Sequence, residues 1–65
     1  MRLTINGDVK DLDARSVEEV LEVLGLPKER VAVEHNGRIV RRGDRKDTVV
    51  VDGDRLEVVT LVGGG

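Results

Sequence analysis

The sequence predicts an α+β fold in which one helix packs across one face of a mixed sheet of four to five strands. Three features support this prediction: Asn-Gly pairs at Asn6-Gly7 and Asn36-Gly37, a helical apolar stripe that starts after Ser16, and a final apolar strand. Asn-Gly between alternating segments is a strong hairpin signal, because both central residues of a type I′ turn need positive φ.

Composition limits what the protein can be. A chain of 65 residues forms one domain, and a domain of this size buries only about 60% of its surface, so an enclosed enzyme pocket is not expected. The chain has no cysteine and no aromatic residue, and its net charge is −2. We therefore expect a soluble cytoplasmic protein that binds no metal ion, nucleic acid or membrane.

The first hairpin pairs Arg2–Ile5 with 8–12 through the Asn6-Gly7 turn, and the sparse apolar residues of its second strand are typical of a sheet edge. The helix is predicted at 17–24. Ser16 and Glu19 form a capping box, and Gly25 is placed to end the helix. The apolar stripe of this helix repeats at helical spacing and consists of Val17, Val20, Leu21 and Leu24.

The second half of the chain predicts three more extended segments and two connections. They are a third strand at Val31–His35, a fourth at Arg38–Val40, a surface loop at 41–48, a short buried anchor at 49–51, a tight turn at 52–54 and a final strand at 55–61.

The final strand has two faces. If Leu56 and Val58 point into the core, the period of two places Val59 and Leu61 on the opposite, solvent-facing side. Exposed aliphatic residues next to the glycine-rich end indicate a partner-binding patch, which we expect to comprise Val59, Leu61, Val62 and Gly63.

A right-handed crossover through the helix places the last strand beside the first and parallel to it. This order is a β-grasp, or ubiquitin-like, sheet. We expect the β-grasp domain to span 1–62 and a flexible C-terminal glycine tail to span 63–65. Glycine has no Cβ, so such a tail can enter a narrow channel and deliver the Gly65 carboxylate there.

Other polar residues favour ordinary structural roles. His35 has no cysteine or spaced histidine partner, so a surface position is favoured over a metal site. The run from Arg38 to Lys46 is basic but contains Asp44, and no aromatic residue interleaves for base stacking. A solvated loop is favoured for this run, with a docking patch for an acidic partner surface as the alternative.

Several segments resemble the ubiquitin-like sulfur-carrier family, and most closely its ThiS type of thiamine biosynthesis. The resemblance rests on the Asn6-Gly7 hairpin, the helix that starts at Ser16, the segment 31–40, the segment 52–58 and the ending 61–65. Arg45 departs from the family, because many members carry an aromatic residue in this loop.

The resemblance implies a carrier and not an enzyme. A ubiquitin-activating-like enzyme would use ATP and Mg²⁺, neither bound by this chain, to adenylate the Gly65 carboxylate. Sulfur from a donor such as a cysteine desulfurase would then give a thiocarboxylate, with Gly64 and Gly63 keeping the end slender. The acceptor implied is thiazole synthase. The alternatives are sulfur donation for molybdopterin synthesis or tRNA thiolation, and a protein modifier conjugated through Gly65.

Overall fold

The computed structural model describes residues 1–61 and forms a five-stranded sheet with one α-helix. The elements are β1 (Arg2–Ile5), β2 (Asp8–Asp11), α1 (Val17–Val23), β3 (Val31–His35), β4 (Arg38–Val40) and β5 (Arg55–Thr60), with short 3₁₀ helices at Lys28–Arg30 and Arg42–Asp44. The predicted α+β architecture is confirmed. The proposed tail at 63–65 and the domain limit at 62 lie outside the described residues.

The last strand occupies the middle of the sheet. The strand order is β2-β1-β5-β3-β4; β5 runs parallel to β1, with Ile5 opposite Leu56, and antiparallel to β3, with Val33 opposite Val58. This is the predicted β-grasp arrangement. The crossover through α1 leads from β2 to β3, and β5 later fills the position between β1 and β3.

Both hairpins turn through the predicted Asn-Gly pairs. Asn6 and Gly7 have φ of 53° and 86°, and Asn36 and Gly37 have φ of 50° and 85°. All four residues therefore adopt the left-handed conformation that a type I′ turn requires.

Helix α1 begins and ends where its sequence signals predict. The Ser16 side chain accepts a hydrogen bond from the Glu19 amide at 3.2 Å. The Glu19 carboxylate in turn accepts a hydrogen bond from the amide of Arg15, at 3.1 Å, whereas in the usual capping box it would accept from the amide of Ser16. Gly25 adopts a φ of 69° directly after the last helical turn, which closes the helix in the left-handed conformation that glycine permits.

The core between α1 and the sheet is wholly aliphatic. Its buried residues are Leu3, Ile5, Ala14, Val17, Val20, Leu21, Val31, Val33, Val40, Val50, Leu56 and Val58. The prediction of a buried anchor at 49–51 is wrong for two of its three residues. The segment is extended, so Val50 points into the core while Val49 and Val51 are exposed.

No helix within residues 1–61 is long and apolar enough to cross a membrane.

Candidate functional site

The glycines named as the reactive end lie beyond the described chain. Gly65, Gly64, Gly63 and Val62, here called the glycine segment (62–65), are outside residues 1–61. The structure does describe the residue from which this segment continues. The Leu61 amide donates a hydrogen bond to the carbonyl oxygen of Arg30, at the end of the first 3₁₀ helix.

The predicted faces of β5 are confirmed. Leu56 and Val58 are buried against α1, whereas Val59 and Leu61 are 58% and 52% exposed. These two side chains lie on the sheet face that is opposite the helix, as the period of two requires.

The solvent-facing side of the sheet carries more apolar residues than β5 alone supplies. Val59 lies directly opposite the exposed Ala32 of β3, and Ile39 of β4, on the same face, is 78% exposed. We call Ala32, Ile39, Val59 and Leu61 the apolar strip. Sequence reasoning found Val59 and Leu61 and missed Ala32 and Ile39, because these positions become neighbours only when the strand order is known.

Two glutamates interrupt the apolar strip. Glu34 of β3 and Glu57 of β5 are direct cross-strand partners, and both are exposed. Like charges in directly opposite positions destabilise a sheet. The solvent-facing side therefore combines apolar side chains with charged ones.

The asparagine of each hairpin turn also holds β5. The Asn6 side-chain amide pairs with the backbone of Val58, donating to its carbonyl at 2.9 Å and accepting from its amide at 2.7 Å. On the other side, the Asn36 side-chain oxygen accepts from the Arg55 amide at 2.8 Å. The Asn-Gly signal predicts the turns, but these contacts span 52 and 19 residues and have no local signature.

Arg45 is buried, which contradicts the prediction of a solvated basic loop at this position. Only 3% of the residue is exposed. Its guanidinium donates to the carbonyl oxygens of Lys28 and Val31, each at 2.7 Å. A planar fork of five N–H donors suits two backbone acceptors at once, so these carbonyls give the charged group a polar environment.

A second arginine of the same loop also donates to a backbone carbonyl of this segment. Arg42 donates to the carbonyl of Glu29 at 2.9 Å. The four successive carbonyls of residues 28–31 thus all accept hydrogen bonds: two from Arg45, one from Arg42 and one from the Leu61 amide. We call this arrangement the carbonyl clamp.

Ion pairs join the same 3₁₀ helix to α1. The Lys28 ammonium lies 2.9 Å from a Glu22 carboxylate oxygen and 3.0 Å from one of Glu18. Hydrogen bonds to Glu22 and then Glu18 raise the pKa of Lys28 against a smaller opposing effect of desolvation. These ion pairs attach the start of the clamp to the helix.

His35 contacts a carboxylate and not a metal-ligand set. Its Nε2 donates to Asp54 at 2.8 Å, and no group of three or more His, Cys, Asp or Glu suited to a metal ion occurs within 1–61. Desolvation raises the pKa of Asp54, but hydrogen bonds from His35, the Val51 amide and Asn36 together outweigh it, so this pKa lies below its usual value of 3.8.

Comparison with known proteins gives matches over the whole chain. The family model described as the ThiS family matches residues 3–65. The sulfur carrier protein ThiS of Thermus thermophilus is 36% identical over 61 residues, which are 94% of this chain and 95% of that protein. The crystal structure of the thiamine biosynthesis protein ThiS from Geobacter metallireducens is similar with a TM-score of 0.83 at 40% identity, covering 100% of both chains.

Larger proteins contain the same unit. A thiazole synthase of Paramagnetospirillum magneticum is 42% identical over 66 residues, which cover 100% of this chain. The chain spans 20% of the length of that protein and 20% of a second thiazole synthase, from Magnetococcus marinus. Sequence and fold thus agree with one assignment: the chain belongs to the ThiS family.

Proposed function

We propose that the protein carries sulfur for thiazole formation in thiamine biosynthesis, as a thiocarboxylate on Gly65. The observation that carries this proposal is the family match, which runs from residue 3 through residue 65 and so includes the three glycines. A carrier needs only a reactive carboxyl group and surfaces that its partner enzymes recognise.

The proposed chemistry begins with activation of a poor electrophile. ATP converts the Gly65 carboxylate into an acyl adenylate and releases pyrophosphate, because AMP is a far better leaving group than oxide. The terminal sulfur of a donor persulfide then attacks the acyl carbon, expels AMP and forms an acyl disulfide. A second thiol cleaves that disulfide by exchange, which releases the thiocarboxylate and leaves the donor cysteine in a disulfide.

The chain itself supplies access and recognition. Gly63 and Gly64 have no side chain, so the backbone that leads to Gly65 fits a narrow channel. The apolar strip offers Val59 and Leu61, each more than half exposed, next to the start of the glycine segment. An activating enzyme that covers the strip would therefore receive Gly65 at its nucleotide site.

The partners follow from this chemistry. Adenylation requires a ubiquitin-activating-like enzyme that binds ATP and Mg²⁺, and sulfur comes from a persulfide donor such as a cysteine desulfurase. Thiazole synthase is the proposed acceptor, because thiazole synthases of two bacteria match this chain over 66 residues each. In this scheme the chain is a co-substrate of these enzymes and catalyses no step.

The test is the intact mass of the protein after incubation with ATP, the activating enzyme and a persulfide donor. We expect a gain equal to the difference between sulfur and oxygen, confined to the peptide that contains Gly65 and absent when ATP is omitted. A variant that lacks Gly65 and a protein whose Gly65 carboxyl is amidated serve as controls, and both should stay unmodified.

Two outcomes would contradict the proposal. The first is no mass gain together with Gly65 linked to lysines of other proteins, which would indicate a protein modifier. The second is a thiocarboxylate that an authentic thiazole synthase does not consume while a molybdopterin or tRNA thiolation system does. The second outcome would keep the carrier role and change the acceptor.

A further inference from the structure

We propose that Arg45 is a positioning residue for sulfur loading, because through the carbonyl clamp it holds Leu61, the last described residue before the glycine segment. This inference rests on the proposed function, in which the Gly65 carboxyl must reach the active site of another enzyme. It assigns a functional role to a residue that touches neither the reacting group nor a partner surface.

The Arg45 guanidinium fixes a short backbone segment at both ends. Arg45 holds the carbonyls of Lys28 and Val31, each at 2.7 Å. Arg30, whose carbonyl accepts from the Leu61 amide, lies between these two residues. The Arg30 carbonyl, which accepts from the Leu61 amide, therefore belongs to a segment whose two ends are both bonded to the Arg45 guanidinium.

Other restraints act mainly at the two ends of this segment, where Lys28 pairs with Glu18 and Glu22 and the buried Val31 lies opposite Thr60 of β5. Residues 28–30 form a single 3₁₀ turn, and their side chains are exposed or only half buried. Isolated 3₁₀ turns have poor hydrogen-bond geometry. The bond from Arg42 to the Glu29 carbonyl, at 2.9 Å, reinforces the segment from the solvent side.

Burial of an arginine at this position has a cost that its two hydrogen bonds explain. Removing a guanidinium from water is costly, and the Arg45 Nε makes no hydrogen bond to any residue between 1 and 61. An unpaired buried donor reduces stability. Core packing alone would be served by an aliphatic side chain, whereas simultaneous bonds to two carbonyls need the fork of an arginine.

The burial of Arg45 makes the proposal testable by enzyme kinetics. With 3% of its surface exposed, Arg45 cannot contribute much to docking, so its loss should not change how tightly the carrier binds. A displaced segment should instead lower the rate of adenylation once bound, because reactions in enzyme sites are sensitive to small misplacements of the reacting group.

The experiment compares Arg45→Met, Arg45→Lys and Arg42→Met with the wild type, and uses Arg38→Met as the matched control. Arg38 is an exposed arginine of the same basic run, and its guanidinium makes no hydrogen bond within residues 1–61. Two quantities are measured: the kcat and KM of the activating enzyme for each carrier, and hydrogen exchange of the Leu61 amide relative to the Val59 amide.

For Arg45→Met we expect kcat to fall about tenfold with KM unchanged within about twofold. The Leu61 amide should exchange roughly tenfold faster relative to Val59, because its acceptor is no longer held. Arg45→Lys keeps the charge but donates to only one carbonyl, so its kcat and its Leu61 exchange ratio should lie between those of Arg45→Met and the wild type. Arg42→Met should show a smaller effect in the same direction, and Arg38→Met none.

An unchanged Leu61 exchange ratio in Arg45→Met would overturn the proposal, as would a rise in KM without a fall in kcat. If Arg45→Met fails to fold, the Arg42→Met variant tests the proposal instead. A wild-type exchange ratio of the Leu61 amide together with a wild-type kcat in that variant would contradict a role of the carbonyl clamp. Should the wild type itself gain no sulfur, the proposed function fails, and the Leu61 exchange ratio still tests the positioning.

Discussion

Asp54 accepts three hydrogen bonds, from the side chains of His35 and Asn36 and from the backbone of Val51. It closes the turn that leads into β5 and joins that turn to the end of β3. A carboxylate so placed connects the stability of the central strand with its own ionisation.

The pKa of Asp54 predicts a specific loss of stability in acid. Because its folded pKa lies below the usual 3.8, the carboxylate stabilises the fold at pH values above 3.8, and this contribution disappears as the pH falls through the folded pKa. We expect Asp54→Asn to cost about 1–2 kcal/mol at neutral pH and to differ little from wild type in strong acid.

Urea unfolding across this pH range checks the prediction. Asp47→Asn is the matched control, because Asp47 is an exposed carboxylate whose side chain makes no hydrogen bond within residues 1–61. If Asp54→Asn retains the full acid dependence of the wild type, another group is responsible for it.

At the scale of the element, the alternation along β5 places core residues on one face and exposed apolar residues on the other. Its buried residues, Leu56 and Val58, belong to the core, and Val59 and Leu61 belong to the apolar strip. Substitutions on one face should therefore change stability, and substitutions on the other should change partner binding.

We expect Val59→Asp and Leu61→Asp to weaken binding to the activating enzyme by about tenfold or more, with little change in melting temperature. An aspartate in the apolar strip introduces a charge that the partner must desolvate. Affinity titration and thermal unfolding measure the two effects. Val58→Asp is the contrast, because it places a charge in the core and should unfold the domain; a similar collapse in Val59→Asp would contradict the assigned faces.

Much of the fold could be predicted from sequence, because local patterns specify local elements. The Asn-Gly pairs define both hairpins, and Ser16 and Gly25 define the ends of α1. The burial of Arg45 could not be predicted this way. A charged residue in a polar loop predicts exposure, and its acceptors are backbone carbonyls 17 and 14 residues away, which leave no trace in side-chain identity.

The candidate site likewise contains some residues that the sequence predicts and others that it does not. Val59 and Leu61 follow from the period of a single strand, whereas Ile39 and Ala32 join them only through the strand order. The pairing of His35 with Asp54 likewise depends on tertiary proximity across 19 residues. Sequence patterns thus indicate the faces of elements but not the contacts that bring separate elements together.

At the scale of the whole molecule, the core formed by residues 1–61 ends before the proposed reactive end. Every core residue lies between Leu3 and Val58. We therefore expect deletion of Gly65 to abolish sulfur loading and to leave the cooperative unfolding transition unchanged, as judged by intact mass and by thermal unfolding. Deletion from Val58 onward is the contrast and should prevent folding, since it removes half of β5. A lowered melting temperature without Gly65 would show that the reactive end contributes to the core.

The central position of β5 also determines when the chain can fold during synthesis. β5 is the last of the five strands to leave the ribosome, yet β1 and β3 are joined only through it. Until it emerges, the chain has two separate hairpins, and an isolated hairpin is at best marginally stable in water. Closure of the sheet therefore waits for β5, Arg55–Thr60. Chains that stop before β5 lack both the complete sheet and Gly65, so under the proposed function we expect them not to compete with finished carriers for the activating enzyme.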